Sequence, residues 1–402
     1  MFLQKITFFK NPVFYNSRFR HLMFGLFFFN CADWIERLCI SWLILKTTES
    51  ILATTISFAI GQIVQTLFSP FTGAAADKFG RNKIIIIVGF SRFFVLCILA
   101  LFVYQNKNFL VLAYIASAIT GLSRSLIVPA IQGSVINAVK ESQKIFSMLI
   151  YSLIFRSTGV IGSLIGGVFS IFIGIEQAIL LSGLFGLSGA IYLLFNSLKF
   201  SEIKNKDNYF KTISRGLKLV FGNFYTRNLL IFAGIVEIFG FSFLSLLSSI
   251  SKYILKSEIG TLSFLQSSMS LGAIIGILFL FKWKDINKAH FIAYLVTIFF
   301  GISILFISLF PNIITVLFFL AIIGGCTACF DAVQWLFIQK NIPDEFRSTA
   351  VSAWFITIGF GWIGHFFLGY SSDKFGLEIT IMTTGIILIF SGLIYFILSR
   401  KY

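Results

Sequence analysis

The chain has 402 residues, 57% of them hydrophobic and only 12% charged, against about 25% charged in ordinary globular chains. That balance excludes a string of soluble domains, and five prolines without a long polar tract leave little room for a disordered arm. The formal charge of +16 would suit a nucleic-acid partner, but the cations sit in short gaps between apolar runs and report membrane topology instead.

Residues 1–20 are too polar and aromatic for a signal peptide, and no small-residue cleavage site precedes the first apolar run. A membrane-crossing helix needs about 20 mostly apolar residues. Twelve such runs follow in chain order, at 21–45, 51–73, 84–105, 108–137, 146–172, 177–198, 227–250, 259–281, 290–310, 313–339, 348–370 and 379–399. Three of them run long, which predicts tilt or extension beyond the bilayer. None alternates strictly over about ten residues, so a β-barrel is not expected.

With the N-terminus inside, 23 of the 32 Lys and Arg fall on the cytoplasmic side and five on the other, the rest lying within spans. The positive-inside rule therefore puts both termini in the cytoplasm and the chain in a cell inner membrane. The longest polar stretch separates the sixth and seventh runs. The expected organisation is a six-helix bundle over 1–198, a cytoplasmic linker over 199–226 and a second six-helix bundle over 227–402.

The halves carry a faint repeat. A shift of 202 residues sets Gly159, Gly162, Gly167, Gly174, Glu176 and Gly183 on Gly361, Gly364, Gly369, Gly376, Glu378 and Gly385. Ala130 and Gln132 fall on Ala332 and Gln334 at the same shift. Asp373-Lys374-Phe375-Gly376 also repeats Asp77-Lys78-Phe79-Gly80, but the span count puts the two on opposite faces. The second copy is therefore expected to be an ordinary polar turn.

Between the second and third runs the sequence reads Gly73-Ala74-Ala75-Ala76-Asp77-Lys78-Phe79-Gly80-Arg81-Asn82-Lys83. Glycines permit a tight reversal, Asp77 and Arg81 are four apart, and the cations suit anionic headgroups. A merely positive loop would explain the cations and not their order. Here the chain resembles the major facilitator superfamily, whose signature loop has this pattern with leucine at the position of Ala75. The resemblance narrows to the branch of enterobactin and macrolide exporters through further segments. These are residues 16–22, Ala32-Asp33-Trp34, residues 45–50, Arg92, Arg156 and Ile342-Pro343-Asp344-Glu345-Phe346-Arg347. Gly162-Ser163-Leu164-Ile165-Gly166-Gly167 is similar to that superfamily's antiporter motif, with Ser163 in place of proline; close helix packing is the alternative reading.

The resemblance implies an all-α membrane protein of twelve helices in two pseudo-symmetric six-helix bundles. Spans 1, 4, 7 and 10 would surround a central cavity, with 2, 5, 8 and 11 beside it and 3, 6, 9 and 12 at the periphery. It implies Gly73, Asp77, Lys78, Gly80, Arg81 and Lys83 as a conformational-gating loop, and alternating access to a small molecule exchanged for protons. Import on the same scaffold stays open, as does a membrane sensor that transports nothing.

Charges inside the bilayer are costly and usually face a cavity or a partner. They are Asp33, Glu36, Arg37, Arg92, Arg124, Arg156, Glu237, Asp331 and His365. Asp33, Glu36 and Arg37 share a helical face by their spacing. Burial disfavours a bare carboxylate there while Arg37 or Arg124 favours it, and a group held in that contest can bind and release a proton. Asp33, Glu36, Arg37, Arg124, Glu237 and Asp331 are thus proton-coupling candidates, against a static ion-pair cluster. Asp331 is expected after a break at Gly324-Gly325, and Arg92 is expected to snorkel. Arg156, His365 and Gln334 are substrate-cavity candidates.

No cofactor or metal is expected. Cys31, Cys39, Cys97, Cys326 and Cys329 all lie in apolar segments, and Cys326-x-x-Cys329 lacks a second ligand pair. Three histidines far apart in sequence (His21, His290, His365) argue against a membrane enzyme, and no phosphate-binding Gly-x4-Gly-Lys loop indicates an ATPase. The expected partners are a small-molecule substrate, protons and membrane lipid, with no nucleic acid and the protein acting as a monomer.

Overall fold

The computed structural model describes the backbone of residues 11–79, 81–196, 222, 224–282, 289–341 and 358–399. Side chains are described over the same residues except 70–79, 81–83, 129–130, 145, 225–226, 281–282, 289–290, 335–341 and 399.

In chain order the long helices are α1 (Ser17–Thr48), α2 (Ile51–Phe79), α3 (Arg81–Tyr104), α4 (Leu110–Ala138), α5 (Lys144–Phe172), α6 (Ile175–Phe195), α7 (Phe224–Phe239), α8 (Ile259–Lys282), α9 (Ala289–Leu309), α10 (Ile313–Asn341), α11 (Gly361–Phe375) and α12 (Leu377–Ser399). Among the described residues ten helices are long and apolar enough to cross a membrane. The set does not include α1, which Asp33, Glu36 and Arg37 interrupt, or the described part of α11, which is short. Large side chains such as Phe94, Phe172, Ile314 and Phe318 are exposed on the outer surface, as lipid-facing residues are. The chain is a multi-pass membrane protein.

Local chemistry fixes the ends. Asn16 caps α1 by accepting from the Phe19 amide at 3.2 Å, and Glu49 ends that helix in the left-handed region at φ 55°. Within the first half α1 packs on α5 and α6, α2 on α4, and α3 on α4 and α6. The second half repeats this: α7 meets α11 and α12, α8 meets α10, and α9 meets α10 and α12. The halves meet along α5 against α8 and α2 against α11.

The glycine repeat has a structural cause. A Cβ on Gly162 would lie 2.9 Å from the Cys31 carbonyl of α1, and one on Gly364 only 2.0 Å from the Ile238 carbonyl of α7. Gly167 faces Ser263 of α8, while Gly369 faces Thr55 of α2. Gly174 and Gly376 both take positive φ, 135° and 94°, in the turns that follow α5 and α11. Gly162 and Gly364 thus mark the same crossing within each half, Gly167 and Gly369 face the opposite half, and Gly174 and Gly376 serve equivalent turns.

Three expectations are corrected. Residues 73–79 continue helix α2 and are not a loop, and α3 is described from Arg81. Helix α10 runs unbroken through Gly324-Gly325; these glycines instead admit α8, whose Met269 carbonyl would lie 1.8 Å from a Cβ at 324. The seventh run, expected at 227–250, leaves the α-helix at Phe239 and continues through a 3-10 segment (Phe241–Leu246) and a π turn (Ile250–Ile254). Serine hydroxyls take up carbonyls in this stretch: Ser242 donates to Glu237 O at 3.0 Å and Ser245 to Ser242 O at 2.7 Å. The linker over 199–226 falls almost wholly outside the described residues.

Candidate functional site

Between the bundles lies a cavity of about 360 Å³, within the usual size range for small-molecule sites. Its wall comes from α1, α2, α4 and α5 of the first half and from α7, α8, α10 and α11 of the second. Asp33, Glu36, Arg37, Arg124, Arg156, Glu237, Asp331 and His365 all line it, so the structure gathers eight candidates in one place. Gln334 is buried on α10 without lining the cavity.

The charges resolve into two paired groups and a remainder. Arg92 lies at the centre of the first group and is only 2% exposed. It bonds Asp33 at 2.5 Å through Nη1 and Glu36 at 2.8 Å through Nη2. Arg124 of α4 holds the other Asp33 oxygen at 2.8 Å, and the Thr120 hydroxyl donates to Glu36. Snorkelling of Arg92 is therefore wrong. Two carboxylates one turn apart on α1 hold its guanidinium in the interior, because an unpaired charge there would cost several kcal/mol. The second group joins the halves: Arg156 of α5 bonds Asp331 of α10 at 2.8 Å.

Arg37 and Glu237 are the remainder. Arg37 shares a helix with Asp33 yet does not pair with it; its guanidinium lies over the Trp34 ring, 5.6 Å from the centroid. Glu237 is 5% exposed, sits in the last turn of α7 before the helix changes form, and faces the cavity. No cation or hydrogen-bond donor among the described residues reaches its carboxylate. His365 is buried on α11, with Nδ1 3.1 Å from the Ser245 hydroxyl and its ring 5.6 Å from that of Phe58.

Ser163, where the antiporter motif has proline, donates to the Gln266 amide oxygen of α8 at 3.0 Å and so ties the halves together. Gly162 and Gly166 pack on α1. The side chains of Gly73, Asp77, Lys78, Arg81 and Lys83, and all of Gly80, lie outside the described residues.

The molecule's far end, opposite the start of α1 and the end of α12, is bridged from half to half. The Asp373 carboxylate at the end of α11 accepts from Ser50 Oγ at 2.7 Å and from the amides of Ile51 at 2.9 Å and Leu52 at 3.1 Å. It caps the N-terminus of α2 and is not an ordinary polar turn. Nearby, Lys252 donates to Leu45 O at 3.2 Å and the Tyr253 hydroxyl to Glu49 O at 2.9 Å.

Sequence reasoning missed the roles of Arg92, Thr120 and Asp373. For Arg92 a signal existed, since two carboxylates on α1 need more than one cation. For Asp373 none did, because its partners are backbone amides.

Comparison with known proteins fits this architecture. The family model described as Major Facilitator Superfamily matches residues 22–364. A Staphyloferrin A transporter of Staphylococcus aureus (strain NCTC 8325 / PS 47) is 22% identical over 375 residues, covering 92% of this chain and 93% of its own. Among solved structures, a peptide transporter POT in complex with sulfate superposes with a TM-score of 0.77 at 14% identity, over 96% of this chain and 95% of that one. A POT family transporter in complex with 5-aminolevulinic acid gives 0.75 at 15% identity, over 95% and 96%. The nucleoside transporter NupG gives 0.73 at 12% identity, over 94% and 99%.

Proposed function

The chain belongs to the Major Facilitator Superfamily and is a transporter rather than an enzyme, and from that premise we propose proton-coupled efflux of a small organic molecule, such as a siderophore or a drug, by alternating access. The similarity to a Staphyloferrin A transporter supports the siderophore class. The observation that carries the coupling is Glu237, a buried carboxylate facing the cavity with no cationic partner among the described residues. Asp33 and Glu36 have their charge compensated by arginines. Glu237 has not, so a proton or a donor group on the substrate is what remains to compensate it. Exclusive occupancy by one or the other is the condition for antiport.

Proton-coupled import is the second reading, and the charge balance favours it for a substrate without such a donor group. Among the described residues, three guanidiniums that line the cavity (Arg37, Arg124, Arg156) and Arg92 behind Asp33 and Glu36 balance four carboxylates (Asp33, Glu36, Glu237, Asp331), so the empty site is neutral when all are charged. It is neutral again with one proton and one anion aboard, and neutral states cross low dielectric most easily. Under either reading the termini are cytoplasmic in the inner membrane, the bundles span 1–198 and 227–402, and the lipid-embedded monomer is the working unit; the cation asymmetry supports the orientation.

Proteoliposomes with an entrapped pH dye test this directly. Substrate added outside should alkalinise the lumen under antiport and acidify it under symport. No substrate-dependent proton movement across a panel of siderophores and amphipathic drugs would sink the coupling.

A further inference from the structure

The ion pairs of the cavity engage Asp33, Glu36 and Asp331, and Arg37 is left over. Asp33 is held by Arg92 and Arg124, Glu36 by Arg92 and Thr120, and Asp331 by Arg156. No carboxylate among the described residues pairs with Arg37, although Asp33 precedes it by one helical turn. Its side chain is half-buried and lines the cavity. The Trp34 ring lies under the guanidinium, and Phe58, Phe155 and Phe241 line the same cavity. A guanidinium there has lost much of its water, a cost that an anionic guest offsets. Its fork donates two parallel hydrogen bonds to a carboxylate, and the ring beneath limits its motion.

We propose that Arg37 is the anchoring group for the substrate's carboxylate, and that the transported class is small organic acids with an aromatic or apolar body. The aromatic side chains of the cavity take that body while Arg37 takes the charge. This deepens the reading of the cavity as the transport site and rests on it. The arrangement also explains why Asp33 and Glu36 turn toward Arg92: a pair with either would close Arg37 to the guest.

The test uses the full chain purified in detergent and three probes of one shape, naphthoate, naphthamide and naphthylmethylammonium, with binding read by equilibrium dialysis. Naphthoate should bind the parent about tenfold more tightly than naphthamide. In Arg37→Gln the two should bind alike, with the amide unchanged, and Arg37→Lys should keep a reduced preference. Thermal unfolding checks the fold of each variant, and Arg37→Lys carries the comparison if Arg37→Gln does not fold. Equal binding by the parent, an anion preference that survives Arg37→Gln, or no binding of any probe overturns the proposal. Ser57→Trp, which fills the cavity, separates the two levels. If it leaves naphthamide binding intact, the cavity is not the site and the functional reading falls too. If it abolishes binding while Arg37→Gln keeps the preference, only the role of Arg37 is overturned.

Discussion

Removing the Asp373 carboxylate should unlatch the far end of the protein. Three donors meet it there, Ser50 Oγ at 2.7 Å, Ile51 N at 2.9 Å and Leu52 N at 3.1 Å. Ser50 in turn accepts from the Ala53 amide at 3.1 Å, so Asp373 and Ser50 together satisfy the first three amides of α2. These bonds join helices of different halves, and they are lost when the halves rock apart at that end. Losing an N-terminal cap costs about 0.5–2 kcal/mol. Asp373 is exposed, so solvent screening favours the lower part of that range, about 1 kcal/mol. The equilibrium should shift about fivefold toward the form open at the far end. Asp373→Asn keeps one acceptor and should give part of the effect, and Asp373→Ala should give all of it. A cysteine at Ser57, which lines the cavity, reports the shift through its reaction with an impermeant maleimide added on the far side. Labelling should quicken in the order parent, Asp373→Asn, Asp373→Ala. A rate that stays constant or falls refutes the latch.

Further outcomes follow from the same contacts. Arg92→Met leaves Asp33 and Glu36 short of their shared partner in the interior and should cost about 3–5 kcal/mol, read as a large drop in the unfolding temperature in detergent; an unchanged midpoint contradicts the cluster. Gly364→Val drives a side chain into the Ile238 carbonyl and should cost about 1–3 kcal/mol by overpacking, read as a lowered unfolding midpoint in detergent; an unchanged midpoint contradicts the crossing. Cysteines introduced at Lys206 and Lys256 should label from opposite faces of the membrane, and labelling from one face overturns the orientation.

Much of the architecture was legible because the bilayer imposes a simple demand, that each span bury its backbone bonds within one apolar helix. The runs at 84–105 and 313–339 became α3 and α10 almost residue for residue. The glycine register was readable for a related reason: Gly162 and Gly364 serve the same helix crossing, so the same residue is required twice. Pairing inside the cavity was less legible. Spacing puts Asp33, Glu36 and Arg37 on one face of α1, but it does not say that Arg92 of α3 reaches both carboxylates before Arg37 does. The change of form in α7 was hidden because Ser242 and Ser245 are as apolar in a hydropathy window as any spanning serine. Their hydroxyls matter only through the carbonyls they meet.

The central claim is that Glu237 couples protons to transport while Asp33 is held by Arg92 and Arg124 as part of the scaffold. Glu237→Gln keeps the shape of the side chain and removes its charge. In proteoliposomes, with a compound that moves protons through the parent, this variant should still exchange labelled for unlabelled substrate at equilibrium. It should lose accumulation driven by a pH gradient. If Glu237→Gln accumulates substrate under the gradient as the parent does, Glu237 is not the coupling group and the account is wrong at its centre.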